Sequence, residues 1–186
     1  MRIEEMLNSS IRPLASFAWH HQERWRREEK ARRNSMITQM HVKGLMFDPY
    51  NNAYIVILRD DDQTEMLPIW VGKSEASSIS LALENVAPPR PMTHDFMKSY
   101  LDAYNAKVIS VVITDLNENT YFAKIHLTYE DSEFTVDSRP SDAIALALRT
   151  QAPIFASDSV IRKQTSEELD KWLENLKPED FGKLDS

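Results

Sequence analysis

At 186 residues, with 42% hydrophobic and 27% charged side chains, the chain is long enough to bury a core in one domain with an appendage. It has no cysteine, which excludes disulfides, thiolate zinc sites and a cysteine nucleophile, and it has no apolar run of membrane-spanning length. Net charge is −7 but uneven: residues 1–38 carry eight Lys/Arg against five Asp/Glu (+3), and residues 39–186 carry fourteen against twenty-four (−10).

An acidic folded part argues against a broad electrostatic grip on nucleic acid and leaves that role to a local basic pocket or to bound divalent cations. The N-terminus lacks a signal-peptide apolar stretch, so the expected location is cytoplasmic. In chain order, Ser10 caps an expected helix that runs to about Asn34, with Pro13 in its first turn. Ile11, Leu14, Ala18 and Trp25 fall on one face at helical spacing, while Arg24–Arg33 is dense in alternating charge. Residues 1–36 therefore read as a helical arm that packs on its own domain or on a partner subunit, with contact to nucleic acid or an anionic membrane as the alternatives its basic charge allows.

The compact domain is expected over 37–163. Met40–Phe47, Ala53–Arg59 and Glu65–Val71 read as strands, with the acidic turn Asp60-Asp61-Asp62 as a solvated hairpin tip. Ser74–Val86 reads as a helix. A stiff Pro88-Pro89-Arg90-Pro91 connector leads to a second helix, Thr93–Asn105, with Phe96, Met97, Tyr100, Leu101 and Tyr104 expected on its inner side. Lys107–Leu116, Tyr121–Tyr129 and Glu133–Asp137 read as a meander joined by an Asn117-Glu118-Asn119 turn. Ser141–Thr150 is a short helix apolar on most sides, hence buried. Pro153–Ala156 is a short strand, and Thr165 caps a last helix to Leu176, with residues 164–186 as a C-terminal helix and tail. Strands and helices do not alternate regularly, so the expected class is α+β: a mixed, largely antiparallel sheet with packed helices.

Two segments repeat one pattern. Pro89-Arg90-Pro91-Met92-Thr93-His94-Asp95 and Ser138-Arg139-Pro140-Ser141-Asp142 each set an Arg before a Pro, then a hydroxyl residue, then an acid, then an apolar run. Proline keeps the preceding Arg out of helix, and the residues after it are a helix-start signal. A fixed Arg at a helix N-terminus can hold a phosphate; equally, the segments are two ordinary caps with a surface Arg.

The phrases Leu67-Pro68-Ile69-Trp70-Val71-Gly72 with Glu75-Ala76, Pro89–Asp95, Val111-Val112-Ile113-Thr114-Asp115-Leu116 and Asp137–Ala147, in that order, resemble the bifunctional nuclease domain family. The resemblance covers roughly Met40 to Ile161. It implies an α+β domain that self-associates and a hydrolase acting on the ester bonds of both DNA and RNA, assisted by a divalent cation such as Mg²⁺ or Mn²⁺.

Phosphodiester cleavage needs a nucleophile made from water, a partner for the phosphate and a stabilised leaving oxygen. The matching positions offer Glu75, Asp95, Asp137 and Asp142 as metal-binding carboxylates. Arg90 and Arg139 are the phosphate-binding candidates, and Glu75, His94 and Asp142 the catalytic ones. Each has a plain structural alternative. Glu75 compensates a helix dipole, His94 caps or faces solvent, Asp95 and Asp142 cap helices, Asp137 pairs with Arg139, and either Arg pins a loop through a carboxylate. There is no Gly-rich phosphate loop, paired-His zinc motif or nucleophile elbow. The competing reading is a non-catalytic module that binds an anion, a nucleotide or a protein.

Overall fold

The computed structural model describes residues 37–49 and 51–164. The expected N-terminal arm and the helix from Thr165 lie outside them. Seven strands form one mixed sheet in the order β3-β2-β1-β7-β4-β5-β6. They are β1 Ile37–Asp48, β2 Ala53–Arg59, β3 Met66–Val71, β4 Lys107–Asn117, β5 Thr120–Tyr129, β6 Ser132–Ser138 and β7 Ile154–Ser157. Every pairing is antiparallel except β4 with β7. Among the described residues four helices accompany the sheet: α1 Lys73–Leu83, α2 Thr93–Ala103, α3 Pro140–Thr150 and α4 Asp158–Gln164. The α+β class and the mixed, largely antiparallel sheet are as the sequence reading has them.

β1 is the long element because it serves two neighbours. Its first residues, Ile37–Met40, pair with β7, and the remainder from His41 pairs with β2. A register shift between Val42 and Gly44 separates the two uses, as a bulge that bends a strand does. The sheet curls accordingly. The Tyr121 hydroxyl at the start of β5 donates to the Pro68 carbonyl of β3 at 3.0 Å, although five steps separate those strands in the sheet order. This curl brings the ends of β3 and β5 to the same place, and the site forms there.

The main core joins Val56, Leu58, Leu67 and Ile69 from the first hairpins to Val111, Ile113, Ala123 and Ile125 from the meander. It is sealed by Ala76 and Ile79 of α1 and by Ala143–Ala147 of α3. α3 is buried over most of its circumference, as its apolar run predicts. Ile55 and Ile57, one residue out of phase, make a small second cluster with Met46, the expected result of strand alternation.

Two readings change. α2 has the opposite rotation from the one its apolar periodicity predicts: Phe96, Met97, Tyr100 and Tyr104 are exposed, and only Leu101 packs against the core. The cause is polar. His94 and Asp95 in its first turn bond to α3, and those bonds turn the aromatic stripe outward. The second change is α4, a helix with no expected counterpart; its short run DSVIRKQ carries the buried pair Val160 and Ile161.

Candidate functional site

α1 and α3 both start where the curled sheet brings β3 and the β4–β5 turn together. Their N-caps are Gly72 and Arg139, both in extended backbone and both without a side-chain cap. Pro140 at the first position of α3 explains why Arg139 is extended. A hollow of about 290 Å³ lies between the two starts, lined by Trp70, Gly72, Glu75, Tyr121, Arg139 and Ser141 among others.

Arg139 is the centre of the site. Its Nε donates to Asp142 Oδ2 at 2.8 Å, Nη2 to Asp142 Oδ1 at 3.1 Å, and Nη1 to Glu75 Oε1 at 3.0 Å. The fork therefore takes one carboxylate in bidentate fashion and bridges to a second. These bonds raise the guanidinium's pKa, Asp142 contributing most, so it is permanently charged. Three of its five N–H donors are used, which leaves one each on Nη1 and Nη2. The side chain is 63% exposed, so those donors are accessible.

Asp142 also accepts from His94 Nε2 at 3.2 Å, and His94 Nδ1 lies 2.9 Å from the buried Ser78 hydroxyl. Partial burial would push the Asp142 carboxyl up. The Arg139 bonds, followed by the His94 bond and the Arg139 charge, outweigh it and hold the carboxyl below its ordinary 3.8. The chain Ser78–His94–Asp142–Arg139–Glu75 thus runs from the interior to the surface across α1, α2 and α3. Ser78 sits on Nδ1 and Asp142 on Nε2, and Ser78 is buried, so this is a positioning chain rather than a nucleophile with its base.

Glu75 belongs here through Gly72. A Cβ at position 72 would stand 2.6 Å from Glu75 Oε2, so the carboxylate folds back over the glycine and any side chain there would displace it.

The remaining candidates separate. Asp95 turns to the other side of α3. There it accepts from Arg149 Nε at 2.5 Å and from the Met92 backbone N–H at 2.9 Å, so it closes its own helix start as well as pairing with a cation. Burial raises the Asp95 carboxyl, but those two bonds bring it below 3.8. Asp137 is exposed on β6, two residues before Arg139 in sequence, yet forms no ion pair with it among the described residues. Arg90 is exposed on the connector and has no side-chain hydrogen bond or ion pair among the described residues. The two repeated segments do meet, but through His94 and Asp142 rather than through their two arginines.

The four carboxylates expected as metal ligands therefore do not form one cage. Among the described residues, no group of three or more His, Asp or Glu side chains is arranged to hold an ion. Between Glu75 and Asp142 the Arg139 guanidinium already stands as the counter-cation, and a divalent ion would have to displace it.

Sequence reasoning missed Ser78, Arg149 and Gly72 as parts of this network. Arg149 could have been found as the one charge that follows the apolar run of residues 143–148. It is 7% exposed and donates to Asp95 and to the carbonyls of Ser78 and Ala145. Ser78 carries no such signal, because a serine inside a helix pattern is unremarkable until its neighbour across the fold is known.

Comparison with known proteins gives the following. The sequence pattern of the bifunctional nuclease domain matches residues 56–168. A Mycobacterium tuberculosis protein named only as uncharacterized is 31% identical over 162 aligned residues, covering 77% of this chain and 97% of its own length. Bifunctional nuclease 1 of Oryza sativa is 30% identical over 103 residues, and bifunctional nuclease 2 of Arabidopsis thaliana is 31% identical over 106. These cover 54% and 55% of this chain but only 31% and 32% of the plant proteins, so the chain spans about a third of each.

Proposed function

Because the chain belongs to the bifunctional nuclease domain family, we propose that it is a nuclease hydrolysing phosphodiester bonds of DNA and RNA with low sequence specificity, and that Arg139 holds the scissile phosphate. The observation that supports this most is the exposed Arg139 fork, fixed by Glu75 and Asp142 with two donors left over, where two uncapped helix starts converge. Helix N-termini favour anions, and a bidentate Arg suits a phosphate.

The roles follow from position. The two spare N–H groups of Arg139 and the start of α3 bind the non-bridging oxygens and stabilise the charge that grows on them. Glu75, with Oε2 not used by Arg139, takes the proton of the attacking water. The water oxygen bonds to phosphorus, the bond to the leaving oxygen breaks, and that oxygen is protonated from solvent. Asp142, held by His94 and through it by Ser78, keeps the guanidinium aimed. No step is assigned to a metal ion, because the carboxylates present are committed to Arg139, His94 and Arg149 or stand apart. No helix among the described residues is long and apolar enough to cross a membrane.

The test is cleavage of single- and double-stranded DNA and RNA with Mg²⁺, with Mn²⁺ and with chelator, using wild type, Arg139→Ala and Arg90→Ala purified identically. Arg139→Ala should lose about 10²–10³-fold in turnover, the scale of a lost transition-state donor, and Arg90→Ala should stay close to wild type. Equal cleavage by wild type and Arg139→Ala would reject the assignment. Cleavage only with Mg²⁺ or Mn²⁺ would mean that an ion enters and Arg139 moves aside. Nucleotide binding without cleavage would point to the non-catalytic module.

A further inference from the structure

Arg139 also borders a second, larger depression on the side away from α1. Its volume is about 690 Å³, within the range of pockets that hold small molecules. Ile125 and Leu127 of β5 and Val136 of β6 make the floor, and Phe96, Met97 and Tyr100 of α2 make a wall. Ser138, Arg139 and Asp142 close the head. The groove exists because α2 is turned by its polar bonds to α3 and leaves the β5–β6 edge uncovered.

Its aromatic wall is open. Phe96 is 63% and Tyr100 55% exposed, and the two rings lie 6.4 Å apart with a 49° tilt. A contiguous patch of large apolar side chains turned to solvent marks an interaction surface.

We propose that this groove takes an unpaired nucleobase next to the phosphate held by Arg139, so that the preferred substrate is a single-stranded or locally unwound segment. The proposal rests on the nuclease reading above and names its substrate class. Three features match a nucleotide. Aromatic rings and an apolar floor accept the face of any base, which makes stacking tolerant of sequence. Arg139 at the head takes the adjoining phosphate without a break in the surface. The exposed Asp137 at the head presents carboxylate oxygens to the exocyclic amino groups of adenine, guanine or cytosine. A base inside a duplex has both faces stacked and cannot enter.

The same face is less suited to a second copy of the chain joined edge to edge. Antiparallel pairing of two β6 strands about Thr135 would set Glu133 of each against Asp137 of the other, and like charges directly opposite repel.

The test uses the full chain and a probe without a phosphodiester, 2-aminopurine deoxyribonucleoside 5′-monophosphate, with deoxyribose 5-phosphate as the control lacking a base. The nucleotide should bind with quenched fluorescence, and deoxyribose 5-phosphate at least about tenfold more weakly. The Phe96→Ala/Tyr100→Ala variant should lose about tenfold in nucleotide affinity. It should raise KM for single strands by a similar factor with little change in kcat. Tyr100→Leu serves if the double variant fails to fold.

Equal affinity for both probes, or unchanged binding by the variants, overturns the base site while leaving Arg139-dependent cleavage intact. A changed mass in light scattering with unchanged KM also overturns it and makes the face an interface between copies. Quenched nucleotide binding that the variants weaken, in a protein that cleaves nothing, supports the base site and rejects only the nuclease reading.

Discussion

Arg139 precedes and Arg149 closes the same helix, and each holds an aspartate, yet burial gives them opposite duties. Arg149 is almost wholly enclosed and joins Asp95 of α2 to the Ser78 carbonyl of α1. Removing its side chain leaves a partly buried carboxylate without its counter-cation and a carbonyl short of one donor, so Arg149→Ala should cost about 3–5 kcal/mol. Arg139 is mostly in solvent, where ion pairs contribute little, and Arg139→Ala should cost no more than about 1 kcal/mol. Urea unfolding of both variants checks this. If Arg139→Ala were as destabilising as Arg149→Ala, Arg139 would be a structural pin, and lost turnover could not be credited to phosphate binding. The carboxylates add a pH dependence. Asp95 and Asp142 both have folded values below 3.8. Between those values and 3.8 the unfolded chain binds more protons than the native one, so stability rises with pH there. Their contribution is complete above 3.8 and is lost as pH falls through the folded values. Thermal melts between about pH 5 and about pH 2 should show the loss, with a shallower acid limb in Asp142→Asn. An equally steep limb in that variant would place the acid sensitivity elsewhere.

At the scale of elements, this chain makes its turns almost without glycine. It has three in total, and among the described residues the left-handed positions fall instead to Asn52, Gln63, Asn85, Asn105, Glu118, Asn119, Glu130 and Gln151. Glu118 and Asn119, both at positive φ, close the two-residue hairpin that the Asn117-Glu118-Asn119 signal predicts, in the sense that matches strand twist. Asparagine tolerates this region through its short polar side chain, whereas glutamine does so poorly. Gln151 ends α3 at φ 56° and ψ 29°. Gln151→Gly removes the Cβ strain at the cost of a floppier unfolded chain, and the net gain should be about 0.5–1 kcal/mol. That corresponds to a Tm rise of about 1–4 °C at this size. A fall in Tm would show that the Gln151 side chain contributes more by packing than its backbone loses.

For the whole molecule, what could be read from sequence follows the range of the interaction. Strand and helix positions rest on local periodicity and turn chemistry, and β2 was placed to the residue. The rotation of α2 was not legible, because it depends on His94 meeting Asp142 and Asp95 meeting Arg149 across about fifty residues. Once those bonds form, the stripe that looked like core becomes an exposed wall. The carboxylates were individually legible, but which of them face a common point is a property of the curled sheet. Charge acts at this scale too. The acidic balance of −10 over residues 39–186 disfavours a long-range grip on a polyanion and leaves that role to a local cation such as the Arg139 fork. Binding should therefore depend on one or two phosphates, not on a long basic track. The affinity of a Glu75→Gln variant for a single-stranded oligonucleotide, followed by anisotropy, should fall with salt at a log–log slope of about −0.7 to −1.4. A slope steeper than about −4 would mean that the eight Lys/Arg of residues 1–38 engage the strand as well. The site would then be a cleavage centre to which a separate basic segment delivers the substrate.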